Sequence, residues 1–145
     1  MSSLSADWQH LALPLAIPPL VVQPTREQLF MFSAATWNRH HIHYDQAAAR
    51  AEGFEDVVVH RALIGNFFAR LLGSWLGDRG AIRRLNWKVT ASAIPGRALH
   101  CHGVARERAT AGDAVGLLCD LRMLDGEKRA IASGSAVVVP AVTRV

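Results

Sequence analysis

The chain contains few cysteines, and their spacing does not suit a metal site. Of its 145 residues only Cys101 and Cys119 are cysteines, and they lack CxxC or zinc-ligand spacing. Both lie in stretches that alternate apolar and polar residues, which is typical of reduced, buried thiols. We therefore expect a reducing, cytoplasmic setting, and we do not expect Cys119 to act as a nucleophile.

The sequence also lacks an uninterrupted apolar segment near its N-terminus. The apolar run from Leu11 to Val22 is broken by Pro14, Pro18 and Pro19, and the acidic Asp7 precedes it. This composition fits neither a membrane-spanning helix nor a secretory signal. We expect no export and no membrane partner.

Clustered positive charge is missing as well. The net charge of +4 suits an anionic partner, such as a phosphate-bearing cofactor or an acidic carrier protein. The densest basic group is Arg83, Arg84 and Lys88, without interleaved aromatic residues or a nucleic-acid motif, so we expect no nucleic-acid partner. His100 and His102 lie two apart on one strand as a possible metal pair, but no third ligand has suitable spacing, and we expect no metal.

Two short helices are predicted in the first third of the chain. Thr25 to Gln28 form a capping box, which predicts a helix through about Ala35 after an extended piece at Leu20 to Gln23. Asp45 is expected to cap a second helix, Gln46 to Glu52.

The segment between these helices carries most of the polar chemistry. Trp37 to Asp45 contains three of the seven histidines, His40, His41 and His43. Histidine is the side chain best suited to move protons near neutral pH. His43 is the candidate for this role or, alternatively, a structural histidine that ties the loop to the backbone. His40 and His41 are expected to face solvent or to brace the loop.

A long apolar helix is predicted from Arg61 to Leu76. Its other polar residues, Asn66, Arg70 and Ser74, are spaced four apart and form one narrow stripe, so the helix should be buried on most sides. The first free N–H groups of this helix, beside His60, can bind a carbonyl oxygen. His60 can also simply cap the helix.

Strands follow that helix. Leu85, Trp87, Val89 and Ala91 alternate with polar residues and predict a half-buried strand. Turn signals at Pro95-Gly96, Gly112-Asp113 and Asp125-Gly126, the last a tight hairpin, then separate three strands. These strands are Leu99 to Ala105, Ala114 to Leu124 and Ala130 to Val139.

Antiparallel strands after one enveloped helix indicate an α+β architecture, a curved antiparallel sheet wrapped around a long central helix, which is the hot-dog topology. The length and apolar content suit one core, so residues 1–145 are expected to form a single domain. The sheet edges and an apolar flank favour a dimer.

Three segments resemble the MaoC-like hot-dog hydratases and dehydratases: Phe32 to Asp45, Ala51 to Phe54, and Val57 to His60. The sequence is most similar to the subgroup that contains type 2 3-hydroxyacyl-thioester dehydratases and mesaconyl-CoA hydratase. The resemblance covers about Pro24 to Pro140. In the wider family an aspartate and a histidine five positions later act on water and on the thioester-conjugated double bond. The resemblance places His43 at the histidine position and Asn38 at the aspartate position.

Two positions depart from the wider family's pattern. Asn38 cannot accept a proton as a base, so it would position water or substrate, or it is an ordinary loop amide that stabilises a turn. Arg61 stands where the family has a glycine whose backbone N–H binds the thioester carbonyl. That N–H is retained, and the resemblance implies that the carbonyl lies against the N–H groups of Arg61 and Ala62, next to His60.

The resemblance implies reversible hydration of 2-enoyl thioesters, or dehydration of 3-hydroxyacyl thioesters, by a homodimer or a hot-dog heterodimer. Coenzyme A or a carrier-protein pantetheine would enter as part of the substrate, with no other cofactor. Two alternatives stay open. One is a non-catalytic hot-dog subunit of a heteromeric dehydratase, and the other is an acyl-CoA thioesterase that uses Glu55 or Asp56, just before the central helix.

Overall fold

A computed structural model describes residues 8–141, which form a five-stranded sheet and a long helix. The ends of the predicted domain, residues 1–7 with Asp7 and residues 142–145, lie outside the described part. The elements in chain order are β1 (Leu15–Val22), α1 (Arg26–Thr36), a 3-10 turn (His41–His43), α2 (Gln46–Ala51), α3 (Arg61–Leu76), β2 (Gly80–Val89), β3 (Leu99–Ala111), β4 (Ala114–Asp125) and β5 (Ala130–Pro140).

The strand order is β1-β3-β4-β5-β2, and every neighbouring pair is antiparallel. Helix α3 contacts β1 and β2, the two edge strands, as well as β3. One helix can reach both edges only if the sheet curves around it. Register shifts in each of the four strand pairings are the kind of irregularity that increases local twist and bending.

The apolar circumference of α3 supplies the centre of the core. Its buried large side chains are Leu63, Ile64, Phe67, Phe68, Leu71, Leu72, Trp75 and Leu76, and the predicted stripe of Asn66, Arg70 and Ser74 is exposed. Burying one such apolar side chain contributes about 1.5 to 3 kcal/mol. Packing against the sheet therefore fixes the position of α3 much more strongly than its intrinsic helix propensity does.

Both predicted helix caps are present. The Thr25 hydroxyl accepts a hydrogen bond from the Gln28 N–H at 3.0 Å, and the Asp45 carboxylate accepts one from the Ala48 N–H at 3.1 Å. These bonds satisfy N–H groups that a helix start leaves free. The Asp45 cap joins the end of the histidine-containing segment to the start of α2.

The strands are longer than the apolar alternation predicts, and one turn differs. The extended piece expected at Leu20 to Gln23 is part of β1, which begins at Leu15 and ends at Val22, and β2 begins at Gly80 and ends before Ala91. The predicted hairpin between β4 and β5 is present, but four residues separate the two strands, so its turn is longer than a tight one. The Asp125 carboxylate accepts hydrogen bonds from the N–H groups of Glu127 and Arg129, both at 2.9 Å, and so organises the longer loop.

Candidate active site

The short segment before α3 holds the histidine loop in place. The N–H of Val58 donates to the carbonyl of Ile42 at 3.0 Å, and the N–H of Val59 donates to the carbonyl of Ala93 at 2.8 Å. In return, the carbonyl of Val58 accepts a hydrogen bond from Nδ1 of His43 at 2.8 Å. Val58 therefore fixes both the backbone of the 3-10 turn and the imidazole ring at its end.

This hydrogen bond determines which ring nitrogen of His43 carries the proton. A carbonyl oxygen only accepts, so Nδ1 must be the protonated nitrogen and Nε2 of the neutral ring has a free lone pair. The ring is largely buried, with 8% of its surface exposed. Burial lowers the pKa of His43 below 6.5; the bond to Val58 opposes this shift, and the nearby His40 adds to it. His43 is therefore a neutral imidazole near pH 7, with Nε2 able to accept a proton.

His60 lies directly against His43. The two rings are stacked with centroids 3.7 Å apart and an interplanar angle of 18°, and Phe32 packs near His60 with centroids 4.8 Å apart. Burial, and secondarily the neighbouring His43, lower the pKa of His60 to about 4. Because two stacked imidazolium rings would repel, the pair is kept neutral.

The other face of the site is tied to α1 through Ser33. Its hydroxyl lies 2.7 Å from Nε2 of His60, and both side chains are buried. Nδ1 of His60 is buried without a hydrogen-bond partner among the described residues. His60 occupies the N-cap position of α3, as considered from the sequence, but its side chain forms no capping hydrogen bond.

The start of α3 offers free backbone donors. The N–H groups of Arg61 and Ala62 have no acceptor within the described part of the chain, and the first bond of the helix runs from Ile64 to the His60 carbonyl. Such groups carry the positive end of the helix dipole. From β2, the indole N–H of Trp87 donates to the carbonyl of Arg61 at 2.9 Å, which fixes the first helical turn to the sheet.

A cavity of about 190 Å³ brings two of the predicted site residues, His43 and Arg61, together. It is lined by His43, Arg61, Val58, Thr90 and Ser92, among others. His43 also borders a second, more apolar cavity of about 380 Å³ beside α1. A larger cavity of about 740 Å³ on β1, β3 and β4 contains none of the predicted site residues.

Asn38 lies in the loop but does not line either cavity that contains His43. Its side-chain oxygen accepts a hydrogen bond from the N–H of His40 at 3.1 Å, which is a turn-stabilising arrangement. His40 also lies 3.2 Å from the exposed carboxylate of Glu52, so it braces the loop as expected. The group that orients the His43 ring is the Val58 carbonyl.

The carboxylates considered for a thioesterase are engaged elsewhere. Glu55 pairs with Arg97 at 2.5 Å, and Asp56 pairs with Arg26 at 2.5 Å while accepting a bond from the Val57 N–H. Neither carboxylate lines the cavity of about 190 Å³. Their positions therefore give a thioesterase no nucleophile or base beside the free N–H groups of α3.

The remaining candidates behave as structural groups. Burial raises the pKa of both Cys101 and Cys119 to about 12, which keeps the thiols protonated and unreactive. Within residues 8–141, no group of three or more His, Cys, Asp and Glu side chains is placed to hold a metal. His100 and His102 thus have no further ligand in the described part.

Three partners in the site were missed by sequence reasoning: Ser33, the Val58 carbonyl and Trp87. Ser33 could have been noticed, because it lies four residues after Leu29 on the buried face of α1. A polar side chain at a buried helical position needs a hydrogen-bond partner. The backbone carbonyl of Val58 has no signature in the sequence.

The curved sheet around one long helix, with a histidine loop beside the helix start, is the architecture of the hot-dog hydratases and dehydratases. Residues 16–95 match the family described as hydroxyacyl-thioester dehydratase type 2. The match spans more than half of the chain, which therefore belongs to this family. The resemblance drawn from Phe32 to Asp45 and the segments after it is confirmed.

Individual relatives agree with this assignment. Mesaconyl-C(4)-CoA hydratase of Chloroflexus aurantiacus is 41% identical over 58 residues, which are 35% of this chain and 21% of that protein. The chain thus matches about a fifth of the length of that relative. Among solved structures, the (R)-hydratase of A. caviae involved in PHA biosynthesis has a TM-score of 0.79 at 21% identity, covering 90% of this chain and 97% of that one.

A further similar structure is the ChsH1-ChsH2 complex of Mycobacterium tuberculosis, with a TM-score of 0.76 at 14% identity over 89% of this chain and 98% of that chain. At these identities the structural matches establish the fold, and the α+β hot-dog prediction is confirmed. No helix among residues 8–141 has the length and apolar character needed to cross a membrane.

Proposed function

We propose that this protein hydrates 2-enoyl thioesters and, in reverse, dehydrates 3-hydroxyacyl thioesters. The observation that carries the proposal is the neutral His43, whose Nδ1 is bound to the Val58 carbonyl and whose ring borders the same cavity as Arg61. A base and a carbonyl-binding helix start are the two elements that this addition requires. Membership of the thioester dehydratase family supports the same reaction class.

In the proposed hydration, the thioester carbonyl oxygen accepts hydrogen bonds from the N–H groups of Arg61 and Ala62. This draws electron density from the conjugated double bond and makes C3 electrophilic. Nε2 of His43 takes a proton from water as the water oxygen bonds to C3, and the electron pair of the double bond moves into the enolate. The protonated Nε2 of His43 then returns a proton to C2, which restores the neutral ring, so the sum is the addition of H and OH across the double bond.

His60 and Ser33 act as positioning residues in this scheme. The stacked ring of His60 supports His43 at 3.7 Å, and the Ser33 hydroxyl holds His60 at 2.7 Å. Because the pKa of His60 is lowered to about 4, His60 stays neutral and does not compete for the proton that His43 accepts. Asn38 would act through the loop, by holding the turn at His40, whose ring lies beside that of His43 with centroids 5.8 Å apart.

Addition of water is neither an oxidation nor a reduction, so the proposed reaction uses only proton transfer. Coenzyme A or pantetheine would be part of the substrate, and a cytoplasmic setting suits such substrates. Within residues 8–141, the edge strands β1 and β2 are each paired on one side only. Phe30 and Met31 on α1, and Trp37 at its C-terminal end, are exposed apolar side chains. We propose that a homodimer, or a heterodimer with another hot-dog chain, covers these surfaces.

A second candidate function is a supporting subunit in a heteromeric dehydratase. It is favoured by Asn38, which replaces the wider family's aspartate and spends its side-chain oxygen on the His40 N–H. Structures such as the ChsH1-ChsH2 complex show that hot-dog chains occur in complexes of two different chains. In this case His43 would have little effect on the activity of the complex.

The test is incubation of the purified protein with crotonyl-CoA, mesaconyl-CoA and longer 2-enoyl-CoA thioesters, with enoyl absorbance and free thiol followed together. Loss of enoyl absorbance without thiol release is the expected result. Release of thiol would instead indicate a thioesterase. If neither signal appears in the protein alone or with a co-purifying chain, the proposed function is refuted.

His43→Ala identifies the catalytic group in the same assay, with His41→Ala as the matched control. His41 is exposed in the same loop, two residues away. We expect His43→Ala to lower kcat by about two to four orders of magnitude, the usual contribution of a positioned acid–base group, while His41→Ala stays within a few-fold of wild type. Equal effects of the two variants would remove His43 from the mechanism.

A further inference from the structure

Arg61 places a positive charge where a helix disfavours it. It is the first residue of α3, and the first turn of that helix contains no acidic residue. The N-terminus is the positive end of the helix dipole, so a cation there weakens the helix. A residue that is locally unfavourable and lies beside a candidate active site points to a functional reason for its presence.

The guanidinium of Arg61 is also unpaired. Three other arginines are bound to carboxylates: Arg26 to Asp56, Arg97 to Glu55 and Arg129 to Asp125. Arg61 is exposed, and within residues 8–141 its side chain has neither an ion pair nor a hydrogen bond. Its charge is thus available to a ligand.

The cavity that Arg61 shares with His43 is small and has no negative charge to offset Arg61. Its volume is about 190 Å³, and no acidic residue of the described part of the chain lines it. Apolar side chains such as Val89 and Ala91 form most of the rest of its wall, which also includes Thr90 and Ser92. Typical small-molecule pockets are about 300 to 1,000 Å³, so this one suits a short acyl group better than a long fatty chain.

We propose that Arg61 binds a carboxylate on the acyl group, which makes the substrate a short 2-enoyl thioester that carries a second, free carboxylate. This inference rests on the proposed hydratase function and names its substrate class. Guanidinium matches the two oxygens of a carboxylate with two parallel hydrogen bonds. The free N–H groups of α3 bind the thioester carbonyl, while the side chain of the same first residue binds the far end of the acyl group.

Another anion with the same chemistry is a phosphate of coenzyme A, and the experiment separates the two sources. It compares the CoA thioesters of fumarate and crotonate, which share coenzyme A and the conjugated double bond. They differ in a carboxylate or a methyl group at the far end. The quantity measured is the ratio of kcat/KM for the fumarate thioester to kcat/KM for the crotonate thioester.

We expect the wild-type ratio to exceed one, and Arg61→Gln to lower that ratio by about ten- to a hundred-fold, the range for loss of a hydrogen bond to a charged group. Arg61→Lys should keep part of the preference, because the charge remains without the planar fork. The matched control is Arg70→Gln, an exposed arginine in the same helix that lines none of the cavities around His43. It should leave the ratio unchanged.

A ratio that Arg61→Gln leaves unchanged would overturn the inference. An equal loss of activity on both thioesters in Arg61→Gln would overturn it as well, because Arg61 would then contact a part that both substrates share, such as the phosphates of coenzyme A. Hydration of crotonyl-CoA with a wild-type ratio at or below one would refute the carboxylate assignment and leave the hydratase function standing. If neither thioester is hydrated, the proposed function fails, and the substrate class fails with it.

Discussion

Acidification should destabilise this protein through the buried pair of His43 and His60. The pKa of His60 falls from 6.5 in the unfolded chain to about 4 in the folded one. Because His60 binds a proton more weakly in the folded state, the stabilising contribution of the neutral His60 is complete above pH 6.5. This contribution is lost as the pH falls toward 4. At about pH 5 the unfolded chain is almost fully protonated at this site and the folded chain is not, which costs about 2 kcal/mol relative to about pH 7.

The measurement is urea unfolding followed by tryptophan fluorescence at both pH values. Asp56 and Asp125 have pKa values lowered below 3.8, so their contributions are lost at more acid pH and this window isolates the histidines. We expect His60→Gln to remove about 2 kcal/mol of the pH-dependent loss. The remaining loss is due to His43 and His102, whose pKa values are lowered by burial as well. His41→Gln, in an exposed position of the same loop, is the control and should retain the full loss.

If His60→Gln loses as much stability on acidification as wild type, the argument from the buried pair is refuted. If His60→Gln does not fold, NMR titration of the His60 ring in the wild-type protein tests the same argument. The ring must remain neutral at about pH 5. A ring that protonates near pH 6.5 would contradict the same reasoning, because burial against Phe32 and His43 is what should exclude the charge.

Three further predictions concern activity and assembly. Since the pKa of His43 is lowered below 6.5 and its neutral form is the base, kcat/KM against pH should fall on the acid side with a midpoint below 6.5; a midpoint above it would exclude His43 as that base. Asn38→Ala should reduce turnover by about ten- to a thousand-fold through loss of an oriented group. Asn38→Asp should remain active, because its carboxylate can still accept a hydrogen bond from the His40 N–H; an Asn38→Asp variant that folds but is inactive would refute this. Light scattering at micromolar concentration should give at least a dimer, because β1 and β2 are the edge strands of the sheet that residues 8–141 form and exposed edges favour pairing; a stable monomer would contradict this prediction.

Local signals in the sequence predicted the helices well. The capping residues Thr25 and Asp45 form the bonds expected of them, and the apolar run from Arg61 to Leu76 is one helix with the same bounds. Caps and helical periodicity depend on neighbours three and four residues away, so they can be seen in one short segment. The hot-dog architecture followed because one enveloped helix precedes several long strands.

Strand ends and the site's internal bonds were harder to predict. β2 begins at Gly80 because residues 80–82 pair with Val138 to Pro140, a partner more than fifty residues away. Likewise, Ser33 meets His60 only after α1 and α3 pack together. The sequence identified His43 as a candidate, but the proton's position on its ring depends on the backbone of Val58. Such long-range contacts leave no local pattern.

Gly65 and Trp87 form a pair of positions that should change only together. A Cβ atom on Gly65 would overlap the indole of Trp87, and glycine inside a helix costs about 1 kcal/mol relative to alanine. Exchanging Gly65 alone would push the indole aside, and with it the N–H that holds the Arg61 carbonyl. Exchanging Trp87 alone would leave a void and release the first turn of α3. Any engineered change of acyl preference near Arg61 must therefore vary Gly65 on the helix and Trp87 on the edge strand together. The indole that packs on Gly65 is the same group that binds the first turn of α3.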